Sequence, residues 1–254
     1  MLTDADLRAE IVTQTALLTS TIADADLRTP VPSCPGWTVG MLLRHIGHGH
    51  RWAAEILTTR TTEPLADAAL RDLTGYTDED PAVLSPWLTE GAHLLHDALA
   101  ATPASTPLWS PIPGGNAGFY ARRFTHETLI HRADATLALH RPFTVTAPVA
   151  IDAIDEWMAL TTLPAILDFY PERKTLLHHP KSISYSATDA PISWQVDFSG
   201  PVFRYTTHTT PATATVSAPL TLLLLDLYRR LADPLPATGD QSLVSAWRTH
   251  STFG

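Results

Sequence analysis

Up to about residue 140 apolar side chains recur every three or four positions, and after Lys174 they gather in short runs rich in β-branched and aromatic residues. The first spacing predicts helices and the second predicts strands, because helical neighbours share a face at i, i+3 and i+4 whereas strand residues alternate sides. Thr3, with Asp6 three residues on, caps a first helix whose stripe is Leu7, Ile11, Leu18 and Ile22 and which ends near Leu27. Pro30, Pro32, Pro35 and Gly36 then force a turn, and Thr38 caps a second helix running to about Leu57 on the face Val39, Leu42, Leu43 and Ile46. A polar stretch from Thr58 to Asp80 leads to a third helix, about Pro81 to Ala100. A Pro/Gly-rich loop, Pro103 to Gly118, precedes the fourth.

In the second half, Pro148 to about Tyr170 still reads as helix, with Ile151, Ile154, Trp157 and Met158 on one side. Segments beginning at Ile183, Ile192 and Val202 predict strands of an antiparallel sheet, and helices return at Pro219 to Leu231 and Asp240 to Thr249. The fold class expected is α+β: a four-helix bundle over residues 1–145 and a small α+β domain over 146–254, with the boundary between Arg141 and Pro148.

Composition narrows the partners. A net charge of -9 with scattered basic residues argues against nucleic acid, and the apolar run Leu220 to Leu225 is far too short to span a bilayer. With no basic and apolar leader at the N-terminus, a cytoplasmic location is expected. Cys34 is the single cysteine, which excludes an internal disulfide and a thiolate-rich metal site.

Candidate chemistry centres on Glu127 and His131, one helical turn apart on the fourth helix, with His45 at the edge of the second helix's apolar stripe. Positions i and i+4 lie on one face, so the pair can grip one ion from one side while a third ligand comes from another helix. Two imidazoles and a carboxylate, with the rest of the shell open, suit a catalytic zinc. The same spacing also fits a solvated helix face or a simple Glu to His⁺ hydrogen bond. His48 is placed near the same cavity without ligating, whereas His126 points about 100° away from Glu127 and misses the ion. His93 and His96 read as a polar helix face without a carboxylate partner, and Cys34 as a turn residue packed on the bundle. Trp37 and Trp52 fit either cavity walls or core.

The strings Val31-Pro32-Ser33-Cys34-Pro35-Gly36-Trp37-Thr38-Val39, Leu42-Leu43-Arg44-His45-Ile46-Gly47-His48 and Arg51-Trp52 resemble the mycothiol-dependent maleylpyruvate isomerase family, within the DinB-like superfamily. Arg122-Arg123 through His126-Glu127 to His131-Arg132 and Asp134 resembles its fourth bundle helix. Leu222 to Leu225, Tyr228, Arg230, Gly239-Asp240 and Trp247 resemble its C-terminal signature. The resemblance implies a metal-binding bundle followed by a small α/β domain shaped like sterol carrier proteins. It implies zinc or another divalent metal on His45, Glu127 and His131, mycothiol as thiol cosubstrate, and a small electrophile as substrate. The implied reaction activates the thiol as a zinc-bound thiolate for cis-trans isomerisation or S-transfer. Arg230 matches a family arginine expected to bind a substrate carboxylate, although Tyr228 and Arg229 stand where the family more often has Trp and Gly; a surface ion pair at a helix end is the plainer alternative. Two further readings stay open: a hydrolase using zinc-bound water, and a non-catalytic binding or regulatory module stabilised by its metal.

Overall fold

A computed structural model describes residues 1–76, 79–208 and 210–251. They fall into two compact units, Leu2–Phe143 and Thr144–Gly254. The first is a bundle of α1 (Asp4–Ile22), α2 (Val39–Thr59), α4 (Pro81–Ala100) and α5 (Ala117–Ala138), with a single turn, α3 (Ala68–Arg71), in the polar stretch before α4. Each long helix borders two others, in the cyclic order α1, α4, α2, α5.

The caps follow the sequence. Thr3 and Asp6 form a reciprocal capping box, and Thr38 accepts from the Met41 amide at the start of α2. Helix α1 stops at Ile22, short of the expected Leu27, because Asp26 turns the chain: its carboxylate accepts the Arg28 amide and its carbonyl accepts the Thr29 hydroxyl. Leu27 is buried all the same, and its carbonyl accepts the Gly40 amide. Residues 30–38 close on themselves through Val31 N to Trp37 O (2.9 Å) and Trp37 N to Cys34 O (3.0 Å), with Gly36 at φ 86° where a side chain would be strained.

Helix α5 has no fully exposed residue, so it shows no solvent stripe, and two of its buried polar side chains are tied to α1. Thr125 Oγ1 donates to Leu7 O (2.8 Å) and Arg132 Nε to Gln14 Oε1 (2.7 Å), both on α1. Helices α2 and α4 approach closely at Gly47, where an added Cβ would lie 2.1 Å from the Trp87 ring. Arg51 lies over that ring at 4.2 Å and donates to the Gly47 and Trp87 carbonyls.

The second unit begins with α6 (Ala147–Thr161), which ends well before the expected Tyr170 because Pro164 disfavours continuation; α7 (Ile166–Phe169) and a 3₁₀ turn (Pro171–Leu176) follow. Strands β1 (Ser182–Ala187), β2 (Ser193–Asp197), β3 (Arg204–Thr206), β4 (Ala214–Ala218) and β5 (Ala237–Gly239) form one sheet in the order β3-β2-β1-β4-β5, with α8 (Leu220–Leu227) and α9 (Gln241–His250) completing the unit. The expectation of an antiparallel sheet is corrected: β4 pairs parallel with β1. The link from β3 passes Gln195 on β2, whose Oε1 accepts the Thr210 amide (2.9 Å), and Thr213 Oγ1 accepts the Ser182 amide at the edge of β1. A periodicity of two is the same for parallel and antiparallel pairing, so only these long-range contacts fix the direction. Trp247 on α9 packs edge-on against Trp157, Phe198 and Phe203, and Trp194 Nε1 donates to Asp155 on α6 (2.6 Å). The chain is thus a helical bundle followed by a small mixed-sheet α+β domain.

Helix α8 ends in a Schellman motif, with Arg230 N to Leu225 O (2.8 Å) and Arg229 N to Asp226 O (3.1 Å). Arg229 takes the left-handed position at φ 62°, which glycine occupies without strain. Its guanidinium donates to Asp226 O, Arg248 O and Ser251 Oγ, tying the end of α8 to the end of α9.

Two outcomes follow from this packing. Gly47→Ala should cost ~1–3 kcal/mol in urea unfolding, since the Trp87 ring must shift to admit the methyl group. Arg229→Gly should be more stable than Arg229→Ala by ~1–2 kcal/mol in the same measurement, because both lose the guanidinium contacts but only alanine keeps the left-handed strain.

Candidate metal centre

Helix α2 carries His45 and α5 carries Glu127 and His131, and the structure brings the three together with one ligand atom from each within 4.8 Å of the others. Glu127 Oε1 lies 3.0 Å from His131 Nε2 and 3.4 Å from His45 Nε2, and the two rings meet edge-on at 5.1 Å. The far nitrogens are held. His45 Nδ1 is 2.8 Å from the Leu70 carbonyl on α3, and His131 Nδ1 is 2.9 Å from Asp134 Oδ2. Both partners only accept, so each Nδ1 carries its proton. Each ring then turns its Nε2 toward the Glu127 carboxylate, an arrangement in which a proton or a cation can be shared between them.

The donor set fits a divalent metal: two imidazoles and one carboxylate, each imidazole backed by a carbonyl or carboxylate that fixes its tautomer. Burial raises the Glu127 carboxyl, but His131, His45 and Arg123 together outweigh it and hold the group well below the usual carboxylate range. Burial lowers His131, yet Glu127, Asp134 and Cys34 reverse that and leave it well above the usual histidine value. Arg123 Nη2 donates to Glu127 Oε2 (3.3 Å), which leaves Oε1 for the two rings.

A second cluster, Cys34, His131 and Asp134, shares the other side of the His131 ring. Its carboxylate accepts from Ser33 Oγ (2.6 Å), His131 Nδ1 and the Cys34 thiol (3.8 Å). With that many donors aimed at it, Asp134 reads as the anchor of His131 rather than as a ligand. Cys34 therefore has a specific partner, which the sequence did not reveal.

The remaining histidines lie outside the three-residue cluster. His48 packs on Trp87 (5.1 Å) and Tyr76 (5.8 Å), and His126 is fully buried in α5. His93 is exposed, and His96 bonds the adjacent Asp97 (2.9 Å), a carboxylate partner that had not been expected. The Trp37 ring lies tilted against His45 with centroids 5.0 Å apart, and Trp52 lines a cavity of about 200 Å³ that His45 and Glu127 also border. Arg230 is half-buried in the second unit and its guanidinium donates to the Tyr228 carbonyl. Sequence reasoning missed the supporting groups Ser33, the Leu70 carbonyl, Arg123 and the anchoring role of Asp134. For Asp134 a signal existed, since it lies three residues beyond His131 on the same helix face.

A sequence model of the mycothiol maleylpyruvate isomerase N-terminal domain matches residues 8–136, half of the chain. The chain belongs to the mycothiol maleylpyruvate isomerase N-terminal domain family. The matched span holds His45, Glu127 and His131, whereas Arg230 lies beyond it. Two solved structures are similar over 93% of this chain and 93% of theirs, each at 12% identity and TM-score 0.65: the mycothiol-dependent maleylpyruvate isomerase and a histidine-to-alanine mutant of it. At that identity the likeness extends the family's fold across both units. No curated protein matches the chain. Among the described residues no helix is long and apolar enough to cross a membrane.

If Asp134 anchors His131, Asp134→Asn should weaken zinc affinity ~10–100-fold in a chelator competition, with the helical circular dichroism retained.

Proposed function

We propose that this chain is an enzyme of the family's thiol-dependent kind, in which a divalent metal, zinc by its donor set, is held by His45, Glu127 and His131. Held there, such an ion would supply the Lewis acidity that lowers the pKa of a thiol and makes it a nucleophile at neutral pH. The thiol is mycothiol, by the name of the family and of the similar solved enzyme. The reaction is isomerisation of, or S-transfer to, a small electrophile. The observation that carries this reading is the pair of histidines whose far nitrogens are both committed, to Leu70 O and Asp134, so that both Nε2 atoms converge on Glu127 Oε1.

The chain's own residues do the rest. Leu70 O and Asp134 hold the two tautomers, Ser33 and Cys34 hold Asp134, and Arg123 holds the second oxygen of Glu127. We take residues 1–145 as the metal-binding domain and 146–254 as the C-terminal domain, and assign Arg230 to an anionic group of a reactant, where a bidentate guanidinium is effective. A protein with no membrane-crossing helix among its described residues and small-molecule reactants suits the cytoplasm.

His45→Ala and His131→Ala should each lower bound zinc by more than the ~10–100-fold that a lost supporting hydrogen bond costs, and should abolish mycothiol-dependent turnover. Metal analysis of the purified variants checks this, and unchanged zinc in both would remove the assignment. Turnover with water alone would replace the thiol reading by hydrolysis.

A further inference from the structure

We propose that the cavity beside His45 and Glu127 receives a neutral, ring-sized apolar group of the electrophile rather than the charged end of a dicarboxylate. This rests on the function proposed above, in which the electrophile reacts at the metal held by these residues. Continuity with the centre is the first support. His45 and Glu127 form part of the cavity wall, so a group seated there lies beside two of the three ligands.

Size is the second. The cavity measures about 200 Å³. An apolar cavity of about 150 Å³ takes up benzene, so this one admits a six-membered ring with a short substituent.

The walls are the third. Trp52, Phe119, Tyr120, Phe124 and Leu70 surround the space. Among the polar groups of the wall, Tyr120 OH donates to Trp109 O (2.5 Å) and Arg123 bonds Glu127 Oε2 (3.3 Å), while the buried Trp52 Nε1 and His50 Nδ1 have no hydrogen-bond partner among the described residues and carry no charge to pair with an anion. His50 donates through Nε2 to Thr128 Oγ1 (2.8 Å), whose own proton goes to Phe124 O (2.6 Å). Burial pushes the His50 pKa down to about 3, so it brings no positive charge. A carboxylate placed here would lose its hydration among aromatic rings, and the Arg123 cation in the wall is already paired with Glu127. An uncharged ring meets no such penalty.

Benzyl alcohol and benzenesulfonate, a neutral and an anionic ring of which neither binds zinc well, separate the alternatives when titrated into the zinc-loaded protein by ligand-observed NMR. Benzyl alcohol should bind about 10-fold or more tightly than benzenesulfonate, in keeping with the cost of burying a charge. Phe119→Trp, which reduces the space, should weaken benzyl alcohol binding at least ~10-fold with bound zinc unchanged, and Phe119→Ala, which enlarges it, should shift preference toward 2-naphthalenemethanol. Equal or tighter binding of benzenesulfonate, or benzyl alcohol binding untouched by both substitutions, would overturn the proposal. Zinc content and mycothiol dependence are measured on the same samples. If they hold and the ring does not bind, the cavity proposal alone fails; if they are lost while the ring still binds, it is the proposed function that fails.

Discussion

The site depends on two imidazole protons that have nowhere else to go. Leu70 O and Asp134 Oδ2 can only accept, so His45 and His131 must keep their protons on Nδ1 and present Nε2 to Glu127. Everything nearby serves that geometry. The closed loop of residues 30–38 delivers Ser33 and Cys34 to Asp134, α3 delivers a backbone carbonyl to His45, and Arg123 occupies the outer oxygen of Glu127. Unpaired, such a cluster would be costly at this depth; paired in this way, it fixes a direction for each donor atom.

The same economy of buried polar groups shapes the bundle. Helix α5 carries the centre and has no face turned wholly to water; Thr128 and Thr136 bond back to its own carbonyls, whereas Thr125, Arg132 and Asp134 draw on other parts of the unit. Leu7 O, Gln14 and the 30–38 loop supply those partners. A helix so tied has little freedom to rotate, and Glu127 and His131 keep their facing. On the opposite side, Gly47 lets the Trp87 ring come close to α2, the helix that bears His45. Precision at the site therefore comes from packing at a distance from it.

Much of this was written in local patterns. The caps at Thr3 and Thr38, the four long helices, and Glu127 and His131 on one face all follow from spacing within a turn or two, which a sequence displays directly. Other features were hidden because their partners are remote in the chain. The parallel pairing of β4 with β1 leaves the same alternation as an antiparallel one, and the anchoring of the crossover on Gln195 has no local mark. The Leu70 carbonyl is a backbone group in a stretch that reads only as polar. Cys34 met Asp134 across 100 residues. At Arg229 the two levels touch: the left-handed φ of 62° is one that glycine takes without strain, while the contacts with Arg248 and Ser251 show what an arginine does in that place.

By itself, then, the sequence determined the helix boundaries near their caps, the division into a bundle and an α+β domain, and the family that the ordered motifs resemble, since each of these rests on short-range periodicity and composition. Only the tertiary structure decided which nitrogen of each histidine faces Glu127, which carboxylate lies between the two rings and which lies behind His131, and that an apolar cavity opens beside them. Those are properties of groups brought together from separate helices, and a chain read residue by residue carries their identities but not their meeting.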